Sequence, residues 1–430
     1  MRKFITIIFT SFFLLFNITG AVQAIVAPPV ASADSVVLMD ATTGTILYEK
    51  NKNSAYPPAS TTKIMTILLV LEKCNLSDVV TVSKNAEMTD GSKIYLFEGE
   101  KITVKELLYG LILASANDCA VALAEHVSGT TEKFAVLMNE KANSLGCKNT
   151  NFVNPNGLYD VKHKTSAYAL ALIMQELTKH EEYKKIATTP SYTMASTNKS
   201  VEKRPLWNGN RLIHKGDQYY YENCEGGKTG YTIQSKHSYI ATASRNGQKL
   251  IVALVHDSKK TFFGDSISLL NYGFDNFELF KYFNADHEVS KLTLDDGTLI
   301  PLLASKDFYI VKAKNSPPPS TPTIKTDQNN SNLATIAKGD KISKATITFD
   351  KDSYNLDLSS GVNYSKPPSP NNGFFKGDSK NFKGSALLLN TIKYFAITLA
   401  VLIVFFRLKH IKRKRKHRLS RYIDNLNRKR

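Results

Sequence analysis

Pro58-Ala59-Ser60-Thr61-Thr62-Lys63-Ile64-Met65-Thr66 carries a polar S-x-x-K step straight into an apolar run that reaches Leu71. The Ile, Met and Leu of that run predict a helix beginning just after Ser60. Lys63, three residues on, then returns to the face of Ser60. A serine hydroxyl is a poor nucleophile until a neighbour takes its proton. Lys63 can do so only when neutral, and burial beside other cations favours that form. A helix N-terminus at Ser60 would also favour negative charge developing on an attacked carbonyl oxygen. Taken alone, the step fits equally a helix-capping serine with a solvated lysine.

Two further short patterns follow in order. Ser115-Ala116-Asn117 interrupts a helical pattern running from Val104 to His126, so its side chains would project from a break between helices. There Ser115 could relay a proton and Asn117 could hold a substrate backbone and Lys63. An ordinary cap would look the same. Gly226-Gly227-Lys228-Thr229-Gly230-Tyr231-Thr232 precedes a β-prone run containing Tyr239-Ile240-Ala241. Its glycines would let a substrate lie against a strand edge. Lys228 and Thr229 suit a carboxylate. A solvated hairpin is the plainer alternative. It is not a phosphate loop, because the first glycine of G-x-x-x-x-G-K-[ST] would fall on Glu222.

Around these motifs, Val36–Asp40 and Thr45–Glu49 flank a Gly44 turn and predict a hairpin. Further helices are expected over Thr131–Leu145 and Leu170–His180. Strands are expected over Tyr239–Ser244 and Lys249–His256. This order predicts an antiparallel sheet with helices packed on it, its last strands pairing with its first. Residues 31–275 form the expected catalytic domain. Residues 276–366 hold short β-like runs and predict a small all-β domain, drawn as a sandwich, with a long loop over Ser316–Ser331. A Pro/Gly/Ser-containing linker follows over 367–385.

The ends carry targeting signals. Arg2 and Lys3, an apolar run to Ile18 and Ala21-Val22-Gln23-Ala24 read as a signal peptide over 1–24. Ala386–Phe406 is long enough for a transmembrane segment, weakened by Asn390 and Lys393; a tilted interfacial anchor is the rival reading. The tail over 407–430 holds twelve Lys/Arg and one acidic residue, Asp424, so it is expected on the cytoplasmic side. Much of the formal charge of +18 therefore sits in the tail rather than in the mildly basic body, and nucleic acid is not an expected partner. Four cysteines, Cys74, Cys119, Cys147 and Cys224, show no C-x-x-C pair and no metal-ligand spacing. No metal and no cofactor are expected.

With the motifs assembled, the chain resembles the low-molecular-mass penicillin-binding proteins that act as serine-type D-alanyl-D-alanine carboxypeptidases. The likeness runs from 31 to about 360. It is carried by Pro58–Thr66, Leu113–Asp118, Gly226–Gly230 and Asn154-Pro155-Asn156-Gly157-Leu158; in the last, the family usually has His where this chain has Asn156. The resemblance implies an α/β (α+β) β-lactamase/penicillin-binding-protein-like catalytic domain, followed by the small all-β domain and the C-terminal membrane segment. It implies catalytic roles for Ser60, Lys63 and Ser115, and substrate binding by Asn117, Lys228, Thr229, Gly230 and Tyr231. The N–H groups of Ser60 and Tyr231 would form the oxyanion hole. The implied substrate is the peptidoglycan stem peptide, with loss of terminal D-alanine. β-Lactam antibiotics would be covalent inhibitors, and membrane lipids would meet the C-terminal segment of a bacterial cell-membrane protein whose catalytic domain is extracellular. A serine β-lactamase remains an alternative, although Glu140 lies within a helical pattern and reads as a solvated residue. A related endopeptidase, a transpeptidase and a non-catalytic wall-binding protein are the others.

Overall fold

The computed structural model describes residues 27–366 apart from 315, 318, 328–332, 350 and 351. The expected hairpin is β1 (Ser35–Asp40) and β2 (Ile46–Lys50), paired antiparallel. A 3-10 turn over Ala59–Thr62 leads into α1 (Lys63–Lys73). The long helical pattern divides where the sequence suggested, into α2 (Val104–Leu113) and α3 (Asn117–Ser128). Thr103 caps α2 by accepting a hydrogen bond from Glu106 N–H. α4 (Thr131–Ser144) and α5 (Ala167–Leu177) follow. Then come α6 (Glu181–Ala187), strands β3 (Cys224–Thr232), β4 (Lys236–Arg245) and β5 (Gln248–Asp257), and α7 (Phe262–Asn276).

The strands form one antiparallel sheet in the order β2-β1-β5-β4-β3. The last strand in sequence, β5, pairs with the first, with Val36 opposite Leu254. Side chains alternate across a strand, and here both faces are dry. Val37, Met39, Ile251, Ala253 and Val255 enter the core shared with α1–α5. Val36, Leu38, Leu250, Val252 and Leu254 enter a second core under α7. That is why β1 and β5 read as continuous apolar runs rather than alternating ones. Burying one large aliphatic side chain is worth roughly 1.5–3 kcal/mol. The eight consecutive buried residues Lys63–Val70 therefore fix α1 firmly in the core. Lys63 is the one charged side chain among them. α7 was not anticipated. Its Phe262, Leu269, Leu270 and Phe274 supply the second core.

The C-terminal β-rich part differs from the expected sandwich. β7 (Glu288–Thr293), β8 (Leu299–Ala304), β10 (Thr323–Thr326), β12 (Lys341–Phe349) and β13 (Asp352–Ser360) form one five-stranded sheet, ordered β7-β8-β13-β12-β10. Two ladders complete it: β6 (Phe277–Phe283) with β9 (Phe308–Ala313), and β11 (Thr335–Ile336) with β14 (Tyr364–Ser365). Leu292, Ile310, Ile336, Ile347 and Leu358, drawn from the sheet and from both ladders, enclose a single core. The result is a near-barrel rather than two facing sheets. β10 also falls inside the stretch expected to be a loop; pairing with β12 gives its backbone a ladder partner.

The expected C-terminal membrane segment is corrected. No helix among the described residues is long and apolar enough to cross a membrane. Ala386–Phe406 lies outside those residues, as do the signal peptide, the linker and the basic tail. The described residues therefore contain no such span and give no support to the expected lipid contacts or cell-membrane localisation. What stands is an α/β catalytic part and a small β-rich part.

Candidate active site

Three elements meet at Ser60: the 3-10 turn before α1, the break between α2 and α3, and the outer edge of β3. Ala59, immediately before Ser60, has φ +50°, and Ser115 has φ +58°. Neither is glycine, and a left-handed conformation costs such residues about 1–3 kcal/mol. Strain thus sits beside the nucleophile candidate and at the second motif.

Lys63 Nζ lies 2.9 Å from Ser60 Oγ, 2.7 Å from Asn117 Oδ1 and 2.6 Å from the carbonyl oxygen of Asn156. The Lys63 side chain is fully buried. Burial pushes its ammonium well below the ordinary lysine range, and the charge of Lys228 pushes it further the same way. A neutral amine has two N–H bonds and one lone pair. Asn117 Oδ1 and Asn156 C=O account for both N–H groups, which leaves the lone pair for the Ser60 O–H.

Asn117 is itself fixed, its amide donating to Asp90 C=O at 2.7 Å and its backbone N–H to Ser92 C=O at 2.6 Å. Ser115 lines a cleft of about 240 Å³ together with Lys228, Thr229, Trp207 and Asn210. Its hydroxyl makes no hydrogen bond among the described residues. Lys228 is buried, its Nζ 2.8 Å from Thr229 C=O, and burial lowers it to about 7. Gly230 brings β3 against Ser60. A Cβ there would stand 2.8 Å from Ser60 N and 2.9 Å from Thr61 N. β3 is the end strand of the sheet, so its free edge can pair with an extended peptide. The Tyr231 side chain points away from the buried Lys63 cluster: it is 57% exposed and stacks on His237. Only its backbone remains a candidate contributor. A larger hollow of about 1010 Å³, lined by Glu49, Lys52, Asn149, Lys162 and Lys164 among others, contains none of the motif residues.

Sequence reasoning missed three contributors. Asn156 meets Lys63 through its backbone, while its side chain accepts from Leu158 N–H. The departure from the family's usual His therefore leaves the contact to Lys63 unchanged. His163 accepts from Val153 N–H at Nδ1, so Nε2 carries the proton and donates to Thr62 Oγ1 at 2.8 Å. Burial lowers it to about 4 and keeps it neutral. No local pattern marks a lone histidine 101 residues from its partner. Asp118, to which the sequence assigned no role of its own, accepts from Ile94 and Leu96 N–H and ties the loop that carries them to the start of α3.

The sequence matches the family described as D-alanyl-D-alanine carboxypeptidase (Peptidase S11) over residues 22–259. It matches that described as penicillin-binding protein 5, C-terminal domain, over 277–356. It is 38% identical to the D-alanyl-D-alanine carboxypeptidase DacF of Bacillus subtilis over 291 residues, covering 66% of this chain and 73% of that one. It is 32% identical to DacA of Haemophilus influenzae over 341 residues, covering 76% and 83%. Crystal structures of penicillin-binding protein 5 from Haemophilus influenzae superpose with TM-score 0.64 at 32% identity, covering 79% of this chain and all of that one. With both parts matched in order and the three motifs converging on one buried lysine, the chain belongs to the serine-type D-alanyl-D-alanine carboxypeptidase family of low-molecular-mass penicillin-binding proteins.

Proposed function

We propose that this chain, a serine-type D-Ala-D-Ala carboxypeptidase of peptidoglycan stem peptides, works through an acyl-enzyme on Ser60, and that the motif residues divide the labour as follows. The stem peptide lies extended along the free edge of β3, its terminal carboxylate at Lys228 and Thr229. Ser60 Oγ attacks the carbonyl between the two D-alanines as its proton passes to Lys63 Nζ. The oxyanion is held by the N–H groups of Ser60 and Tyr231, which Gly230 allows to approach each other. Ser115 carries a proton to the departing D-alanine nitrogen. Water then attacks the ester, the proton path runs in reverse, and Ser60 is restored. Asn117 orients Lys63 and the substrate backbone. A β-lactam presents a similar carbonyl and carboxylate and would acylate the same serine.

The observation that carries this reading is the Lys63 environment: a buried amine with two oxygen acceptors and a serine hydroxyl at 2.9 Å. The test is D-alanine release from a peptide ending in D-Ala-D-Ala, together with mass spectrometry after penicillin. The expected result is release and a penicilloyl adduct on Ser60, both lost in Ser60→Ala. Wild-type release by Ser60→Ala would overturn the assignment.

A further inference from the structure

At the opposite ends of the two helices that begin at Lys63 and Asn117, three side chains of different chemistry converge. Cys74 follows the last residue of α1, Asp78 lies in the turn after it, and His126 sits in the last turn of α3. One donor atom from each, a thiol sulfur, a carboxylate oxygen and an imidazole nitrogen, lies within 4.8 Å of the other two. Cys74 and Asp78 are half-buried and His126 is exposed, so the cluster is open to solvent on one side.

The backbone that carries Cys74 and Asp78 is held from several directions. Cys74 N–H donates to Val70 C=O, and Asp78 N–H to Asn75 C=O. Val104 N–H and Lys105 N–H donate to the carbonyls of Asp78 and Leu76. One carboxylate oxygen of Asp78 accepts from Asn75 N–H at 2.8 Å, which fixes the side chain and leaves the other oxygen available. The Cys74 sulfur and the His126 ring make no hydrogen bond among the described residues. These donors are presented together without a competing partner.

The geometry points to a divalent metal site formed by Cys74, Asp78 and His126, of the class that takes zinc. Sulfur, nitrogen and oxygen donors together suit zinc, whose bonds of about 2.0–2.3 Å place tetrahedral ligands roughly 3.3–3.6 Å apart. Closing the present cluster needs about 1 Å of side-chain movement, within the reach of rotamer changes around a fixed turn. Water would fill the fourth position. Binding would release the thiol proton to solvent. The ion would fasten the C-terminal end of α1 to that of α3, the helices whose first residues, Lys63 and Asn117, are hydrogen-bonded at the catalytic cleft. No local pattern marks this site, because two short strands (Val79–Thr81 and Lys101–Thr103) and two helices (Lys84–Glu87 and α2) lie between Asp78 and the helix that carries His126.

The test is titration of the reduced full-length chain with Co²⁺ followed by absorption spectroscopy, then competition with Zn²⁺. One equivalent of Co²⁺ should bind, with a thiolate-to-metal charge-transfer band and the intense visible bands of a tetrahedral site; Zn²⁺ should displace it. Cys74→Ser should abolish the charge-transfer band. His126→Ala and Asp78→Asn should each weaken Zn²⁺ binding at least tenfold. His126 is exposed, so its variant tests the site even if Cys74→Ser fails to fold. No charge-transfer band, or a band unchanged in both His126→Ala and Asp78→Asn, would overturn the proposal. Neither result bears on whether Ser60 is acylated by penicillin, so the failure of this site and the failure of the catalytic reading are separable.

Discussion

Lys63 Nζ lies 2.6 Å from the carbonyl oxygen of Asn156, which directs one amine hydrogen away from Ser60. With Asn117 taking the other, the contacts of Lys63 suit the base that the proposed mechanism requires. Lys63→Arg keeps a long basic side chain but cannot lose its proton. It is expected to slow acylation by a fluorescent penicillin about 10²–10⁴-fold, the usual range for a lost general base. Acylation within twofold of wild type would remove Lys63 from that role.

The charge of Lys228 helps keep Lys63 neutral, so its removal has a signed consequence. In Lys228→Gln the repulsion is gone and the Lys63 ammonium is favoured. The acidic limb of the kcat/KM profile should then move to higher pH. In the wild type, Lys228 itself loses its charge near pH 7 in the free enzyme. Carboxylate binding should therefore weaken as pH rises through that value, as an increase in KM before any fall in kcat. Stopped-flow acylation across pH would read both. An acidic limb unmoved by Lys228→Gln would contradict the coupling.

The loop over 154–158 offers a contrast between side chain and backbone. Asn156→Ala removes only the turn contact to Leu158, so kcat should fall less than about tenfold for a lost net hydrogen bond of about 1 kcal/mol. Gly157→Ala places a methyl group against the Ala59 carbonyl at φ +84°. The turn carrying Ser60 would have to move, and activity should fall at least a hundredfold, since misplacement by about 1 Å costs that much. Equal effects of the two substitutions, measured by D-alanine release, would contradict this division.

His163 makes stability depend on pH. Its folded value is near 4 against 6.5 for an ordinary histidine, so below pH 6.5 the unfolded chain binds the proton more readily. Stability should be fully present above 6.5, decline as pH falls from 6.5 to 4, and lose about 3 kcal/mol to this group in all. Urea unfolding of His163→Gln should show a shallower decline over that interval, with a lower stability at pH 7 from the altered contacts to Thr62 and Val153. An identical slope in the two proteins would rule out His163 as the source.

Much of the layout was legible because it is local. The apolar run after Lys63 could only be a buried helix. The break at Ser115 falls where the polar Ser115–Asn117 interrupts the apolar pattern, and the runs at β1 and β5 predict strands of a sheet whose last strands pair with its first. α7 was missed because Phe262–Asn276 mixes Gly264, Gly273 and polar residues into a pattern that becomes helical only when one face packs beneath the sheet. The near-barrel was missed because short alternating strands look the same whether they face another sheet or curl around one core.

The sequence by itself determined which chemistry was possible: Ser60 with Lys63 three residues on, Ser115 and Asn117 at a break, Lys228 to Tyr231 on a strand. These are short-range facts of residue type and spacing. Only the tertiary structure decided that the Lys63 ammonium is disfavoured, because that depends on desolvation and on Lys228 from 165 positions away, and that its amine meets the carbonyl of Asn156, a group every residue owns and no sequence pattern marks. It likewise decided that Gly230 is required for close approach to Ser60 N and that His163 anchors Thr62. Burial and backbone contacts are properties of the packed chain, and they turn candidate residues into a working site.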